Sequence, residues 1–170
     1  FGQIEYKNDD ISTFLQAGFS NQSFQRTDHF NDQGDDPQTS DWESLTGGNI
    51  KAGINWNSNE NHNGFGNAGY YSKQPLFNAV YPSFSSNRVN PGLANEKILG
   101  TEIGYGFRSA NYRVNVNLYR TSWKDRFARQ NVGGDVVEYI DLQGIEQVHT
   151  GIEIDGTLKF NKISFDLMAS

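Results

Sequence analysis

The sequence has 170 residues, no cysteine, 14 Lys plus Arg and 20 Asp plus Glu, giving a formal net charge of −6. The lack of cysteine excludes disulfides, thiolate metal sites and thiol nucleophiles. An acidic chain also lacks the cations that displace counterions from phosphate, so we expect no nucleic-acid partner. No apolar run approaches the roughly 20 residues of a membrane-spanning helix.

Alternation of apolar and polar residues with a period of two dominates the chain and predicts strands. Apolar residues fall on alternate positions at 11–19, 50–54, 99–107, 112–118, 152–160 and 163–169. The Gly-rich segment 62–73 is predicted to be a further strand, although its pattern does not assign its faces. We expect about eight strands with one apolar and one polar face.

Short turn-forming clusters alternate with long polar stretches along the chain. The short clusters are 8–10, 57–61, 109–111 and 161–162, and the long stretches are 22–41, 73–96 and 126–138. In an up-and-down sheet, this order places every short turn at one edge and every long loop at the other. Outer-membrane barrels have this asymmetry, with short periplasmic turns and long extracellular loops.

Aromatic residues stand near the ends of several predicted strands, where the interfacial girdle of a membrane barrel would lie. They are Tyr6, Phe19, Trp42, Trp56, Phe107, Tyr112 and Phe160. Alternation alone is also typical of a soluble β-sandwich. The sorted connections and the aromatic ends favour an all-β fold, an antiparallel up-and-down transmembrane β-barrel.

Several motifs resemble those of TonB-dependent outer-membrane receptors of the Bacteroidetes type. Residues 90–97 (NPGLANEK) resemble the loop-to-strand motif N-P-x-L-x-x-E-K, and residues 102–105 (EIGY) resemble the E-x-G-Y of the next strand. Residues 115–126 are similar to N-x-N-x-Y-x-T-x-W-K-D-R, and residues 151–154 to a G-v-E-l strand. Segments 1–26 and 69–75 also resemble family strands, and the motifs follow the family's order.

The resemblance implies a plugged barrel of about 22 strands, of which this chain supplies about eight. Residues 1–170 would be part of a single barrel domain, with the plug domain and C-terminal closing strands absent. The implied protein is a receptor and transporter in the outer membrane of a Gram-negative bacterium. It would take up a bulky nutrient such as a siderophore, haem, cobalamin or a glycan.

The implied partners are outer-membrane lipid, the protein's own plug domain, the TonB complex through the missing N-terminal part, and the nutrient ligand. We expect no enzymatic activity and no cofactor. One alternative is a structural or adhesive outer-membrane barrel without transport. A soluble all-β binding domain is a further alternative.

Polar residues of the strands are predicted to face the barrel lumen. They are Asn49, Lys51, Glu102, Arg108, Arg113, Asn115, Asn117, Glu153, Asp155 and Lys159. Two carboxylates can in principle serve glycoside hydrolysis. Ion pairs between the carboxylates and cations of this face are the preferred interpretation, so no catalytic residue is assigned.

The longest predicted loop region holds the candidate ligand contacts Lys73, Phe77, Tyr81, Phe84 and Arg88. Aromatic rings beside cations suit stacking and pairing with a sugar, a siderophore or a porphyrin, and the same rings could equally pack within the loop. No metal site is assigned. The three histidines are far apart, and the acidic segment 28–41 lacks the EF-hand order of ligands.

Overall fold

The computed structural model describes residues 1–30, 38–83, 86–133 and 139–170. These residues form eight strands and one short helix, α1 (Phe77–Val80), which lies between β4 and β5. The strands are β1 (Gly2–Lys7), β2 (Ile11–Phe24), β3 (Glu43–Asn57), β4 (His62–Lys73), β5 (Glu96–Arg108), β6 (Tyr112–Asn131), β7 (Tyr139–Phe160) and β8 (Ile163–Ala169). No helix in the described ranges is long and apolar enough to cross a membrane.

The strands form one antiparallel sheet in which each strand pairs with its neighbour along the chain, in the order β1 to β8. β1 and β8 are the two edges, so the described sheet is open. A β-sandwich would divide its strands between two packed sheets, whereas this meander keeps them in one. The predicted all-β, antiparallel, up-and-down arrangement is confirmed.

Two kinds of connection alternate, and each kind occupies one edge of the sheet. Tight turns form one edge; in the first of them Asn8 N donates to Ile11 O at 2.9 Å, and Asn8 Oδ1 accepts from Ile11 N at 2.6 Å. The longer connections follow β2, β4 and β6, and their described residues, 25–30, 38–42, 74–83, 86–95 and 132–133, lie at the opposite edge. The predicted sorting is therefore confirmed, and we call the two sides the turn edge and the loop edge.

β6 and β7 have 20 and 22 residues and extend past their neighbours at the loop edge. The sequence predicted a loop from Arg126 onward, and this prediction is wrong because β6 continues to Asn131. The pairing register shifts on both sides of Arg126, and Asp125 has a φ of 56°. Each bulge inserts an unpaired residue and interrupts the alternation, so the sequence pattern of a strand is lost there.

The two faces of the sheet differ in chemistry and exposure. Directly paired residues share a face, and one row across β3, β5, β6 and β7 consists of Ile54, Ile103, Leu118 and Ile152. These side chains are exposed: Ile103 at 62% and Leu118 at 47%. A water-soluble sheet would cover such a face. We call this side the apolar face and the opposite side the polar face.

Aromatic side chains of the apolar face gather at the turn edge. These are Tyr6, Trp56, Phe107, Tyr112 and Phe160. Large rings at the end of an apolar band are the arrangement of an interfacial girdle. Phe19 lies on the same face nearer the loop edge, whereas Trp42 lies in the connection between β2 and β3.

Among the described residues, the buried hydrophobic side chains lie in a loop. They are Ala79, Val80 and Tyr81, at the end of α1 and just after it. The longest connection therefore has a small core of its own at the loop edge, while no second layer formed by the described residues covers either face of the sheet.

Candidate functional site

The polar face carries every residue that the sequence predicted to face a lumen. Direct cross-strand pairs on this face are Asn115 with Asp155, Asn117 with Glu153, and Arg108 with Arg113. The register places the remaining four on the same face, namely Asn49, Lys51, Glu102 and Lys159. The sheet thus brings residues from four strands, β3, β5, β6 and β7, onto one face.

Glu102 lies at the centre of the polar face and is held by amides. Its Oε2 accepts a hydrogen bond from Asn67 Nδ2 at 2.8 Å, and its Oε1 accepts one from Asn117 Nδ2. Asn115 Nδ2 likewise donates to Asp155 Oδ1 at 3.0 Å. The expectation of ion pairs is wrong for these two carboxylates, because neighbouring strands place asparagines, not cations, beside them.

Two cations of the polar face, Lys51 and Arg108, make other contacts. Lys51 Nζ lies 5.6 Å from the centre of the Phe14 ring. Arg108 Nε donates to the backbone oxygen of Glu60 at the turn edge, at 2.9 Å. Within the described residues, neither of these two cations forms an ion pair with Glu102, so its carboxylate can accept further donors from a partner.

A shallow hollow of about 330 Å³ lies beside Glu102. Its lining includes Lys51, Asn67, Tyr71, Glu102, Tyr119 and Glu153. In the described part of the chain, the Oδ1 atoms of Asn49 and Asn117 are buried and have no hydrogen-bond partner. Buried acceptors normally have a donor, so this surface is suited to a partner that brings one.

Aromatic rings of the polar face cover glycines, a feature that the sequence analysis missed. Phe65 lies over Gly104, its direct partner in the next strand, where a Cβ would collide with the ring. Tyr119 lies over its partner Gly151, with the hydroxyl 2.5 Å from where a Cβ would be. Only the register pairs each ring with its glycine, and the sequence pattern alone does not fix the register.

Tyr81 is the centre of the loop core. Its side chain is 3% exposed, its hydroxyl lies 2.8 Å from Ser40 Oγ, and its ring centre is 5.1 Å from that of Phe77. Phe77 also packs edge-on against Phe24 at 6.0 Å and remains 45% exposed. The sequence left two roles open for these rings, contact with a ligand and packing within the loop. Tyr81 packs within the loop, whereas the Phe77 ring remains partly exposed to solvent.

Arg26 joins two of the long connections, and sequence reasoning did not identify it. Its Nη1 donates to the backbone oxygens of Ser83 and Ser86 at 2.5 and 3.2 Å, and its Nη2 lies 3.2 Å from Asp28 Oδ2. An arginine side chain that satisfies several acceptors at once orders the segments that carry them. The loop edge is therefore a connected layer rather than a set of separate loops.

Lys73 lies at the loop edge, where β4 ends. Its Nζ is 2.9 Å from Glu96 Oε2 and 5.5 Å from the centre of the Trp123 ring. Arg126 stacks on the same ring at 4.1 Å. Lys73, predicted as a ligand contact, thus contacts Glu96 and Trp123, which belong to two separate sequence motifs.

Arg88 and Phe84 are the remaining predicted ligand contacts of this loop. Arg88 is exposed, and Phe84 lies outside the described residues, as does part of the acidic segment 28–41. No group of three or more His, Cys, Asp or Glu residues in the described ranges could hold a metal ion. His62 Nδ1 lies 2.5 Å from the Tyr105 hydroxyl.

Comparison with known proteins gives the same assignment as the fold. No curated protein matches the chain significantly. A family model described as TonB dependent receptor-like, beta-barrel matches residues 1–170. The antiparallel meander, its exposed apolar face and its sorted connections are those of a transmembrane barrel wall. The chain therefore belongs to the TonB-dependent receptor-like β-barrel family.

Proposed function

We propose that the chain forms part of the wall and extracellular loops of an outer-membrane receptor in a Gram-negative bacterium. The receptor takes up a bulky nutrient, a siderophore, haem, cobalamin or a glycan, with energy supplied through the TonB complex, and it has no enzymatic activity. The exposed apolar face carries this proposal. Side chains such as Ile103 and Leu118, at 62% and 47% exposure, need hydrocarbon rather than water around them.

The polar face supports a plugged interior. It holds Glu102 without a cation, together with the unpartnered acceptors of Asn49 and Asn117 in the described part of the chain. A plug domain that brings amide, hydroxyl or cationic donors would satisfy these groups. An empty channel would leave them to water, so the chemistry of this face fits a barrel that contains a folded partner.

The loop layer supplies the candidate ligand surface. Of the two predicted aromatic contacts that the structure describes, Phe77 and Tyr81, Phe77 remains partly open to solvent, and Arg88 is also exposed. Tyr81 packs against Phe77, at 5.1 Å between ring centres. We propose that Phe77 and Arg88 contact the ligand, while Tyr81 and Lys73 hold the loop in place.

Energy-coupled uptake is tested in cells that carry the full-length receptor and in cells that lack it. The probes are a labelled ferric siderophore, haem, cyanocobalamin and a labelled oligosaccharide, each supplied with and without a protonophore. A receptor takes up at least one probe, and both gene deletion and the protonophore abolish that uptake. Equal uptake of all four probes by both strains would instead support a structural or adhesive barrel.

A further inference from the structure

The apolar face carries charge in a single region. In the described strands, the charged residues of this region are Lys97 and Arg120 in the regular part of the sheet, Lys124, which pairs directly with Lys97, and Glu146, which lies beside Lys124. All four lie on β5, β6 and β7, toward the loop edge. The turn edge of the same face carries aromatic rings and no charged residue in the described strands. We call Lys97, Arg120 and Lys124 the cationic cluster.

The cluster lies in the part of the apolar band nearest the loop edge and just beyond it. Arg120 pairs with Thr101 on one side and Thr150 on the other, one row beyond the row that contains Leu118. With a strand rise of about 3.3 Å and a tilt of about 40°, Arg120 lies about 20 Å above Tyr112, within a band about 25 Å tall. On the same estimate Lys124 lies about 30 Å above it, at the level of lipid headgroups.

Two of the three cations have carboxylate partners and one does not. Lys97 Nζ lies 2.8 Å from Asp125 Oδ2, and Lys124 Nζ lies 3.4 Å from Glu146 Oε1. In the described part of the chain, the Arg120 side chain has no hydrogen-bond or ion-pair partner, and it is exposed. Three cations against two carboxylates leave this patch with a net positive charge.

A guanidinium facing the margin of a membrane needs an anion or water. Its aliphatic stem can lie along apolar surface while the charged group extends toward the headgroups. Phosphate is the anion whose geometry matches the paired donors of arginine. We propose that Arg120, together with Lys97 and Lys124, binds the phosphate of a lipid in the leaflet on the loop side of the membrane.

The inference rests on the membrane location in the proposed function but not on transport, and the test separates the two. Full-length receptor in detergent is mixed with micelles that contain lipid A, or lipid A stripped of its phosphates, or with inorganic phosphate. Bound lipid is measured by native mass spectrometry. The wild-type receptor should retain lipid A and bind neither of the other two probes comparably.

Substitutions locate the site. Arg120→Gln should weaken lipid A retention about fivefold, and Arg120→Gln with Lys124→Gln about fivefold again. Arg113→Gln removes a cation from the opposite face of the same strand and should leave retention unchanged. The altered migration of a folded barrel in unheated gel electrophoresis shows that each variant is assembled.

Unchanged retention by folded Arg120→Gln would overturn the inference, as would equal retention of the lipid without phosphates. Inorganic phosphate that binds as well as lipid A would show a free-anion site and would also overturn it. The comparison of the three probes on the wild-type receptor tests the inference even if a variant does not fold. Failure of the barrel to assemble in membranes at all would contradict the proposed function instead.

Discussion

At the scale of single residues, the pairing of aromatic rings with glycines explains how the polar face packs without a second layer. Phe65 over Gly104 is one such pair, and Tyr119 over Gly151 is another. Each ring lies flat along the sheet because the opposite residue has no side chain. A side chain at Gly104 or Gly151 would therefore occupy the space that the ring of its partner fills.

Gly104→Ala should destabilise the barrel by about 1–3 kcal/mol, because the new methyl group overlaps the Phe65 ring. Gly64→Ala is the matched control, since the nearest atom to its Cβ lies 3.9 Å away. The free energy of unfolding of the full-length barrel in vesicles measures the difference. If Gly64→Ala cost as much as Gly104→Ala, the packing account would be incorrect.

The facing of side chains gives a second prediction at this scale. Val116 and Ile154 are direct partners on the apolar face, and Asn115 and Asp155 are direct partners on the polar face. Arginine at Val116 or Ile154 should cost about 2–4 kcal/mol of folding free energy in vesicles, because it meets hydrocarbon. Arginine at Asn115 or Asp155 should cost much less, and equal costs at the two pairs would refute the register.

At the scale of elements, β4 was predicted from a Gly-rich segment without assigned faces, and β1 only from the family resemblance. Alternation predicted β2, β3, β5, β8 and the regular parts of β6 and β7. It failed after Trp123, because two register shifts and the left-handed Asp125 break the period while pairing continues to Asn131. The loop core was also beyond prediction, since its contacts join distant residues; Ser40 and Tyr81 are one such pair. Sequence patterns report local periodicity, and neither feature is local.

Substitution of Arg26 tests whether this side chain holds the long connections together. Replacing it with alanine removes the hydrogen bonds to the backbone of Ser83 and Ser86, so the connected layer should open more often. A charge-assisted hydrogen bond contributes about 1.5–3 kcal/mol, and we expect proteinase K to cleave the loop layer on intact cells about tenfold faster. Arg26→Lys, which keeps the charge but not the fork of donors, should fall between the two.

Barrel assembly should be the same in wild type, Arg26→Ala and Arg26→Lys, because the strands retain their ladders. Cleavage at the wild-type rate in Arg26→Ala would show that Arg26 does not hold the layer. A loss of assembly would show that the residue acts on the sheet rather than on the loops.

At the scale of the whole molecule, the order of connections was the most informative feature of the sequence. It predicted a meander with turns at one edge and loops at the other, and the structure has both. Motifs resembling one receptor family pointed to the same architecture, and the family match covers residues 1–170. The ligand could not be predicted, because it depends on loop surfaces whose arrangement is set by contacts across the layer.

We propose that this sheet spans the outer membrane with its loop edge outside the cell. Cysteine labelling tests it directly, since the chain has no cysteine of its own. Asn78 in α1 and Ala110 in a tight turn are both exposed, so each can be replaced by cysteine in the full-length receptor. A membrane-impermeant maleimide should label Asn78→Cys on intact cells and label Ala110→Cys only after the outer membrane is permeabilised. Labelling of Ala110→Cys alone on intact cells would show the opposite orientation, and labelling of both would contradict a membrane-spanning sheet.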